Sequence, residues 1–389
     1  MKIAVNIARI VVGLLFIFSG LVKANDPMGL SYKMQEFFEI WGIHKFNSWT
    51  LTLSVLMNAF EIIAGFALLL GWRIRLFSWL LLLLIVFFTF LTGYTYITGT
   101  PKNCGCFGDC LPITSKTSFL KDVALTILIG FIIWQQRYIK SLFKERWQWL
   151  LMTLVTVFCF GFQWYTLKYL PVVDCLPFKK GNNIAEKMKM PANAVPDSTV
   201  ITFIYKKDGK DIEFTADKFP ADFNADTYKF VSRYDKVIRK GRNNQPPIKG
   251  LVLSGETNED STGFVLEQPY AVLLFIEDFS KAGDGWKTSF ENIYKTARIK
   301  NIPVFLITAE PSEAPKVVAG SSFANVIIFK CDYKVIETAS RTPASVYVIQ
   351  KGTVLGKWSG PQFRKAEKML DHIPVQAAAI NQEPATSNQ

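Results

Sequence analysis

Five apolar segments separated by polar connections occupy the first 170 residues of the chain. They cover residues 3–22, 51–70, 74–97, 119–134 and 148–170. About 20 apolar residues cross the hydrocarbon core of a bilayer as a helix, so four segments are long enough and one is short. A signal peptide is the alternative for the first segment, but its apolar stretch is long for that role. The pattern predicts five transmembrane helices in a lipid bilayer.

Basic residues are concentrated on one side of these predicted helices. That side carries Lys2, Arg73, Arg75, Arg137, Lys140, Lys144 and Arg146. The other side has Lys23, Lys33, Lys45, Lys102 and Lys116, diluted over two longer loops with acidic residues. Because dense Lys and Arg mark cytoplasmic connections, we expect a cytoplasmic amino terminus and a periplasmic carboxy-terminal half. The predicted location is the bacterial inner membrane, crossed several times.

After residue 177 the pattern changes to the short strand and helix signals of a water-soluble region. Two strand signals, at 199–205 and 212–214, flank a turn that contains glycine. We therefore expect a small β-rich periplasmic insert over residues 178–246, lying on the membrane bundle. The last residues, 375–389, are predicted to be a disordered tail.

Residues 247–374 show a strand–helix–strand unit followed by a β-hairpin and a closing helix. The predicted segments are 271–276, 286–298, 302–308, 345–349, 354–358 and 361–372. This order predicts an α/β domain of the thioredoxin-like class. The stretch that would hold that class's Cys-x-x-Cys, residues 277–286, contains no cysteine and ends in Gly285 and Trp286.

A second element of this degenerate site is Thr342-Pro343, which resembles the cis-proline loop of thioredoxin-like proteins. Cys331 is alone in the domain and is predicted to be a small core residue. Without paired thiols the domain is expected to be redox-dead and to bind a partner.

Composition agrees with a membrane half followed by a soluble half. The 50% hydrophobic content and 32 Phe exceed what a soluble enzyme needs, and the excess lies before residue 171. The net charge of +12 comes mostly from scattered Lys, without Arg interleaved with stacking aromatic residues. That pattern favours a solvated surface beside anionic lipid and predicts no nucleic-acid partner.

Half of the six cysteines fall in the loop after the third predicted helix. Cys104, Cys106 and Cys110 lie there, and Cys175 follows the fifth helix on the same predicted oxidising side. Disulfides persist in such a compartment. A zinc site is the weaker alternative, because there is no Cys-x-x-Cys and no nearby His, and no metal is expected.

These four cysteines allow three pairings. Cys110 and Cys175 lie in identical Asp-Cys-Leu-Pro sequences, whereas a bond between Cys104 and Cys106 would close a strained loop. We predict a structural Cys110–Cys175 disulfide, which leaves Cys104 and Cys106 as a candidate redox pair.

Two polar residues, Asn58 and Glu61, lie three positions apart on one face of the second predicted span. A carboxyl group at membrane depth is costly unless it is paired or protonated, so it is a functional candidate. The alternative is that Glu61 bonds Asn, Thr or Tyr of a neighbouring helix and holds the bundle together.

Three of these segments together resemble the DoxX and MauE families. Residues 13–23 with Asp-Pro at 26–27 resemble the first DoxX helix, and Asn58 with residues 61–65 resembles the second. Residues 104–108, Cys-Gly-Cys-Phe-Gly, are similar to the loop of the MauE branch. The resemblance covers about residues 1–140 and implies a four-helix membrane domain broadly like DsbB and vitamin K epoxide reductase. It also implies a part in periplasmic disulfide chemistry.

The chain departs from that pattern by a fifth transmembrane helix with its linker, residues 141–177, and by the long outer region. This arrangement resembles DoxX-related proteins of Bacteroidetes. The Cys-x-x-Cys usual in DsbB-type oxidases is missing. No cofactor is therefore evident, and a quinone enters only if the cysteines are redox-active.

Two functions follow from the sequence. The first is a thiol–disulfide role on periplasmic clients through Cys104 and Cys106. The second is a non-enzymatic subunit or scaffold of a cell-envelope complex, with structural cysteines and a partner-binding outer domain. The sequence leaves open whether the chain is an enzyme, and both functions require a periplasmic or envelope protein partner.

Overall fold

The computed structural model describes residues 1–101, 105, 107–239, 241 and 243–377. Six helices come first: α1 (Lys2–Asn25), α2 (Pro27–Ile40), α3 (Thr50–Leu70), α4 (Ile74–Thr98), α5 (Ser115–Trp134) and α6 (Glu145–Tyr169). A short 3-10 helix, His44–Trp49, leads into α3, and another, Gln136–Tyr138, follows α5. Five segments are long and apolar enough to cross a membrane, namely α1, α3 with its leading 3-10 turn, α4, α5 and α6. The predicted multi-pass membrane region is confirmed.

Helices α1 and α3 pack most closely, and glycine makes this possible. A Cβ added to Gly65 would lie 2.8 Å from the carbonyl oxygen of Gly13, so a larger residue cannot occupy this crossing. Small residues allow close approach of helix backbones in a bilayer, where packing and not the hydrophobic effect drives association. Large apolar side chains such as Leu83 and Ile127 point away from the bundle and are mostly exposed.

Helix α2 is not a span and was not predicted. It begins where Asp26 caps it, because the Asp26 carboxylate accepts a hydrogen bond from Gly29 N at 3.0 Å and Pro27 fills the first helical position. The helix therefore lies next to the end of α1, at the end of the bundle that also carries the loop between α4 and α5. We call this end the cysteine end.

The remaining helices are short: α7 (Ile184–Lys187), α8 (Thr262–Glu267), α9 (Phe279–Ala282), α10 (Lys287–Ile299), α11 (Ala314–Val318), α12 (Tyr333–Ser340) and α13 (Phe363–Asp371). The strands are β1 (Ser198–Lys207), β2 (Lys210–Thr215), β3 (Lys229–Arg239), β4 (Ala271–Ile276), β5 (Val304–Thr308), β6 (Ile327–Lys330), β7 (Ala344–Gln350) and β8 (Thr353–Ser359).

The first three strands form the predicted insert, an antiparallel sheet in the order β2-β1-β3. One face packs against aromatic side chains of the loop between β2 and β3, including Phe219 and Phe223. Contrary to expectation, the described strands of this insert make no extended contact with a membrane helix.

The last five strands form a mixed sheet in the order β6-β5-β4-β7-β8, in which β4, β5 and β6 are parallel and β7 and β8 antiparallel. Strands β4 and β5 are buried along their whole length, because helices cover both faces. The predicted strands and helices are present, β6 and α12 are additional elements between β5 and β7, and the region is α/β. Its assignment to the thioredoxin-like class stays a prediction.

Two side chains that we assigned to the insert belong to this α/β domain. Phe178 and Ile184 are buried in the core on one face of the five-stranded sheet, and Ile184 N donates to Gly352 O at 2.8 Å. The chain leaving α6 therefore enters the α/β domain before it forms the insert.

Candidate functional site

The cysteine end of the bundle is closed by a disulfide between Cys110 and Cys175, the predicted pair. Their Cα atoms are 4.9 Å apart, and 65 positions separate them in sequence. The bond joins the loop between α4 and α5 to the segment that leaves α6. The candidate redox pair, Cys104 and Cys106, lies outside the described residues.

Gly105, between those two cysteines in sequence, is described and has a φ of +70°. A Cβ at this position would lie 3.2 Å from Cγ of Lys33, so the stem of that α2 side chain packs on the glycine. The ammonium of Lys33 binds Glu36 at 2.9 Å. Helix α2 thus forms one wall beside the loop between α4 and α5, which we call the cysteine loop.

The α/β domain is held on this end of the bundle by Arg341. Its Nε donates to Asp26 at 2.8 Å and its Nη2 donates to Asp109 at 2.6 Å, while Nη1 donates to Glu337 O in its own domain at 2.9 Å. The side chain is 5% exposed. Burial alone would lower the pKa of Arg341, but the two carboxylates raise it above its ordinary value.

A second contact lies beside the other half of the disulfide. Lys357 of β8 forms an ion pair with Asp174 at 2.5 Å, and its side chain is 7% exposed. Burial lowers the pKa of Lys357 although the neighbouring carboxylate opposes that shift. Asn25, at the end of α1, exchanges hydrogen bonds with the backbone of Val173 at 2.8 and 3.0 Å. Both cysteines of the disulfide therefore follow an aspartate that binds the α/β domain.

Between these contacts lies an open cleft of about 1310 Å³. Its walls are α2, the cysteine loop, the segments at 175–178 and 243–250, and α12. Burial and the nearby carboxylate of Glu277 raise the pKa of Glu337, on the α12 wall, to about 7.

The residues of the predicted degenerate site have ordinary structural environments. Trp286 is 3% exposed, packs on Phe323 in the core, and donates its indole N–H to Gly283 O at 2.9 Å. Gly285 is exposed. The Thr342 hydroxyl donates to Ala344 O at 3.1 Å.

The peptide bond before Pro343 is trans, since Thr100–Pro101 is the one cis bond among the described residues. The resemblance to a cis-proline loop is therefore wrong in its backbone geometry. Cys331 is buried in the core, and burial raises the pKa of its thiol to about 12. A thiol in that state is a poor nucleophile, as predicted for a core residue.

Within the bundle, Glu61 is completely buried and forms an ion pair with Lys23 of α1. The Lys23 ammonium also lies 4.9 Å from the ring centre of Phe88 on α4. Asn58 Nδ2 donates to Gln163 Oε1 of α6 at 3.2 Å. The two polar residues therefore tie α3 to two neighbouring helices.

This outcome corrects one prediction. We counted Lys23 among the solvated basic residues of the outer loops, but it is 2% exposed inside the bundle. The expected partners of Glu61 were Asn, Thr or Tyr, and the actual partner is a cation. Gly20, one turn before Lys23 on α1, lies against α3, but this contact is visible only in the structure and no local pattern marks the position.

The polar cluster contains two buried oxygens without a hydrogen-bond partner among the described residues, Oδ1 of Asn58 and Oε2 of Glu61. We assign no step to a quinone.

The fold and its cysteine end define a class: a multi-pass membrane protein whose disulfide-closed loop carries a docked α/β domain. Residues 1–135, which include α1 to α5, match the family model of methylamine utilisation protein MauE, so this part of the chain is similar to that family. Residues 199–240 match a family described as a domain of unknown function, DUF8463. Comparisons with curated proteins and with solved structures give no significant match.

The first prediction concerns the buried ion pair. Lys23→Met leaves the Glu61 carboxyl buried and unpaired, which should lower the free energy of unfolding by about 3 kcal/mol. Replacing both partners by apolar residues, Lys23→Met with Glu61→Leu, should recover most of that loss. The measurement is denaturant unfolding of the purified protein in detergent. Additive losses in the double variant would show that the two side chains do not act as a pair.

The second prediction concerns the disulfide. The double variant Cys110→Ser/Cys175→Ser should lose about 4 kcal/mol of unfolding free energy, because the bond closes a long loop in the unfolded chain. Reduction of the wild type should reproduce the loss, and the variant should not respond to the reductant. Peptide mapping without reduction should recover the 110–175 link. A dominant 104–110 or 106–175 link would contradict the assignment.

Proposed function

We propose that this chain is an inner-membrane thiol–disulfide exchange protein that acts on periplasmic clients through Cys104 and Cys106. The observation that carries the proposal is the Cys110–Cys175 disulfide. It takes two of the four cysteines of the cysteine end, and the free cysteines Cys159 and Cys331 are buried elsewhere. Of the six cysteines in the sequence, Cys104 and Cys106 then remain, and they can form a disulfide with each other or with a client.

The exchange needs no external oxidant. A loop thiolate attacks one sulfur of a client disulfide, so that a mixed disulfide forms as the client bond breaks and the displaced client sulfur leaves as a thiolate. A different client thiolate then attacks the mixed disulfide, which forms a new client disulfide and frees the loop thiolate. The electrons balance, and the client leaves with rearranged pairing.

Two features of the sequence support this function. One glycine separates Cys104 from Cys106, and a disulfide across so short a loop is strained and readily reduced. The distribution of Lys and Arg puts the cysteine end on the periplasmic side, where client disulfides occur. Residues 1–135 also match the MauE family model, and the resemblance of the chain to that family implies disulfide chemistry.

A second function is a non-enzymatic subunit of an envelope complex. The buried Cys331, the core position of Trp286 and the extensive polar docking of the α/β domain favour this alternative. In that case the cysteines only stabilise loops, and the chain forms a stoichiometric complex with its partner.

Single variants distinguish the two functions and test the orientation. Cys104→Ser or Cys106→Ser leaves one loop thiol, which should accumulate client mixed disulfides that disappear on reduction. A membrane-impermeant maleimide should label that thiol in intact cells. Cys331→Ser is the control and should behave as the wild type.

A different set of results would contradict exchange. If neither variant traps a client, and the detergent-solubilised chain instead purifies with one stoichiometric partner, the subunit function replaces exchange. Labelling only after the cells are opened would reverse the proposed orientation.

A further inference from the structure

The cleft between α2 and α12, of about 1310 Å³, borders the cysteine loop. Gly105, Phe107 and Gly108 line it directly, and so do Lys33 on one wall and Arg341 on the other. Gly105 and Phe107 are covalently attached to the candidate cysteines, which flank them in sequence. A molecule bound in the cleft therefore contacts residues that are joined by peptide bonds to Cys104 and Cys106.

The size of the cleft points to a polypeptide. Pockets for small ligands span about 300–1000 Å³, and this cleft of about 1310 Å³ is both larger and open. Each of three walls exposes one large apolar side chain to solvent. Ile40 on α2 is 41% exposed, Leu111 in the cysteine loop is 45% exposed and Tyr333 on α12 is 40% exposed. Single exposed apolar residues are common, but three around one cleft form a contact surface for apolar side chains.

The charges in the cleft restrict the chemistry of the occupant. Lys33 binds Glu36 at 2.9 Å, and Lys334 lies 3.6 Å from Glu39. Arg341 is already neutralised by its two aspartates. Because these charges compensate one another, the cleft selects neither a strongly acidic nor a strongly basic ligand.

Its lining also includes several prolines, which have no N–H to offer: Pro101, Pro112, Pro177, Pro246 and Pro247. None of the described lining residues belongs to a β-strand, so the occupant is not held by strand pairing. Its side chains hold it.

We propose that this cleft seats an extended, cysteine-bearing segment of a client polypeptide, with apolar residues next to the cysteine. The inference rests on the proposed exchange function and adds its substrate class. The seat brings the client sulfur to the cysteine loop, while Leu111 and Tyr333 bind the flanking apolar side chains.

Two probes, each an activated mixed disulfide, test this binding site on the full-length protein in detergent, after mild reduction of its loop cysteines. One probe is a blocked decapeptide whose central cysteine lies between Leu and Tyr and carries 5-thio-2-nitrobenzoate in a mixed disulfide. The other is cysteamine with the same leaving group. Attack by a loop thiolate on the probe sulfur releases the coloured thiolate, whose absorbance gives the rate.

Tyr333→Asp and Leu111→Asp should each slow the peptide reaction on the order of tenfold, as expected when an anchoring side chain is lost. They should leave the cysteamine rate unchanged. Tyr234→Asp and Val237→Asp are matched controls on β3, because those side chains are 41% and 45% exposed and do not line the cleft. The controls should change neither rate.

Two results overturn the inference in distinguishable ways. If the cleft variants react with both probes as the wild type does, the seat is wrong while the exchange function stands. If the wild type reacts with neither probe although its loop thiols are reduced, the exchange function fails, and the seat fails with it. Unchanged melting temperatures of all four variants show that folding is not the cause.

Discussion

The guanidinium of Arg341 is almost fully buried between two carboxylates that come from distant parts of the chain. Asp26 ends the first membrane helix and also caps α2, and Asp109 immediately precedes Cys110. A buried charge is costly unless its partners are well placed, so this contact allows few alternative positions of the α/β domain. The planar fork of arginine suits it to bind two carboxylates at once, which a lysine cannot do with the same geometry.

Contacts within the membrane bundle complement this docking contact. Glycines 13 and 65 let α1 and α3 approach closely, and Lys23 then reaches Glu61 inside the bundle. Lys23 lies one turn before Asp26 on α1, so a single helix end contributes a cation to the bundle and an anion to the docked domain. The disulfide fixes the neighbouring loop to the chain that leaves α6. These contacts together define the cleft and the surroundings of the cysteine loop.

Much of the fold could be predicted from the sequence, because the signals are local. Apolar length located the membrane helices, and the continuous apolar run at β4 predicted the observed bounds of that strand. The repeated Asp-Cys-Leu-Pro sequence indicated the pairing of Cys110 with Cys175. Strand β6 was missed because it has only four residues, and β3 because its polar and apolar residues do not alternate.

The interactions that matter most for the site could not be predicted, because they join residues far apart in sequence. Nothing local to Arg341 indicates that it binds Asp26 and Asp109, which precede it by more than 200 positions. Likewise, Lys23 resembles a loop lysine until its partner on α3 is known. The Asp that precedes each cysteine of the disulfide was a visible signal, but its role in docking required the structure.

Hydrogen exchange on Arg341→Gln tests most directly whether this residue holds the α/β domain on the cysteine end. We predict faster exchange in α2 and at 107–113, with unchanged protection of the sheet from β4 to β8. Arg364→Gln, at an exposed position on α13, should leave both regions unchanged. Unaltered exchange in α2 and the loop, or loosening of the sheet itself, would contradict the account.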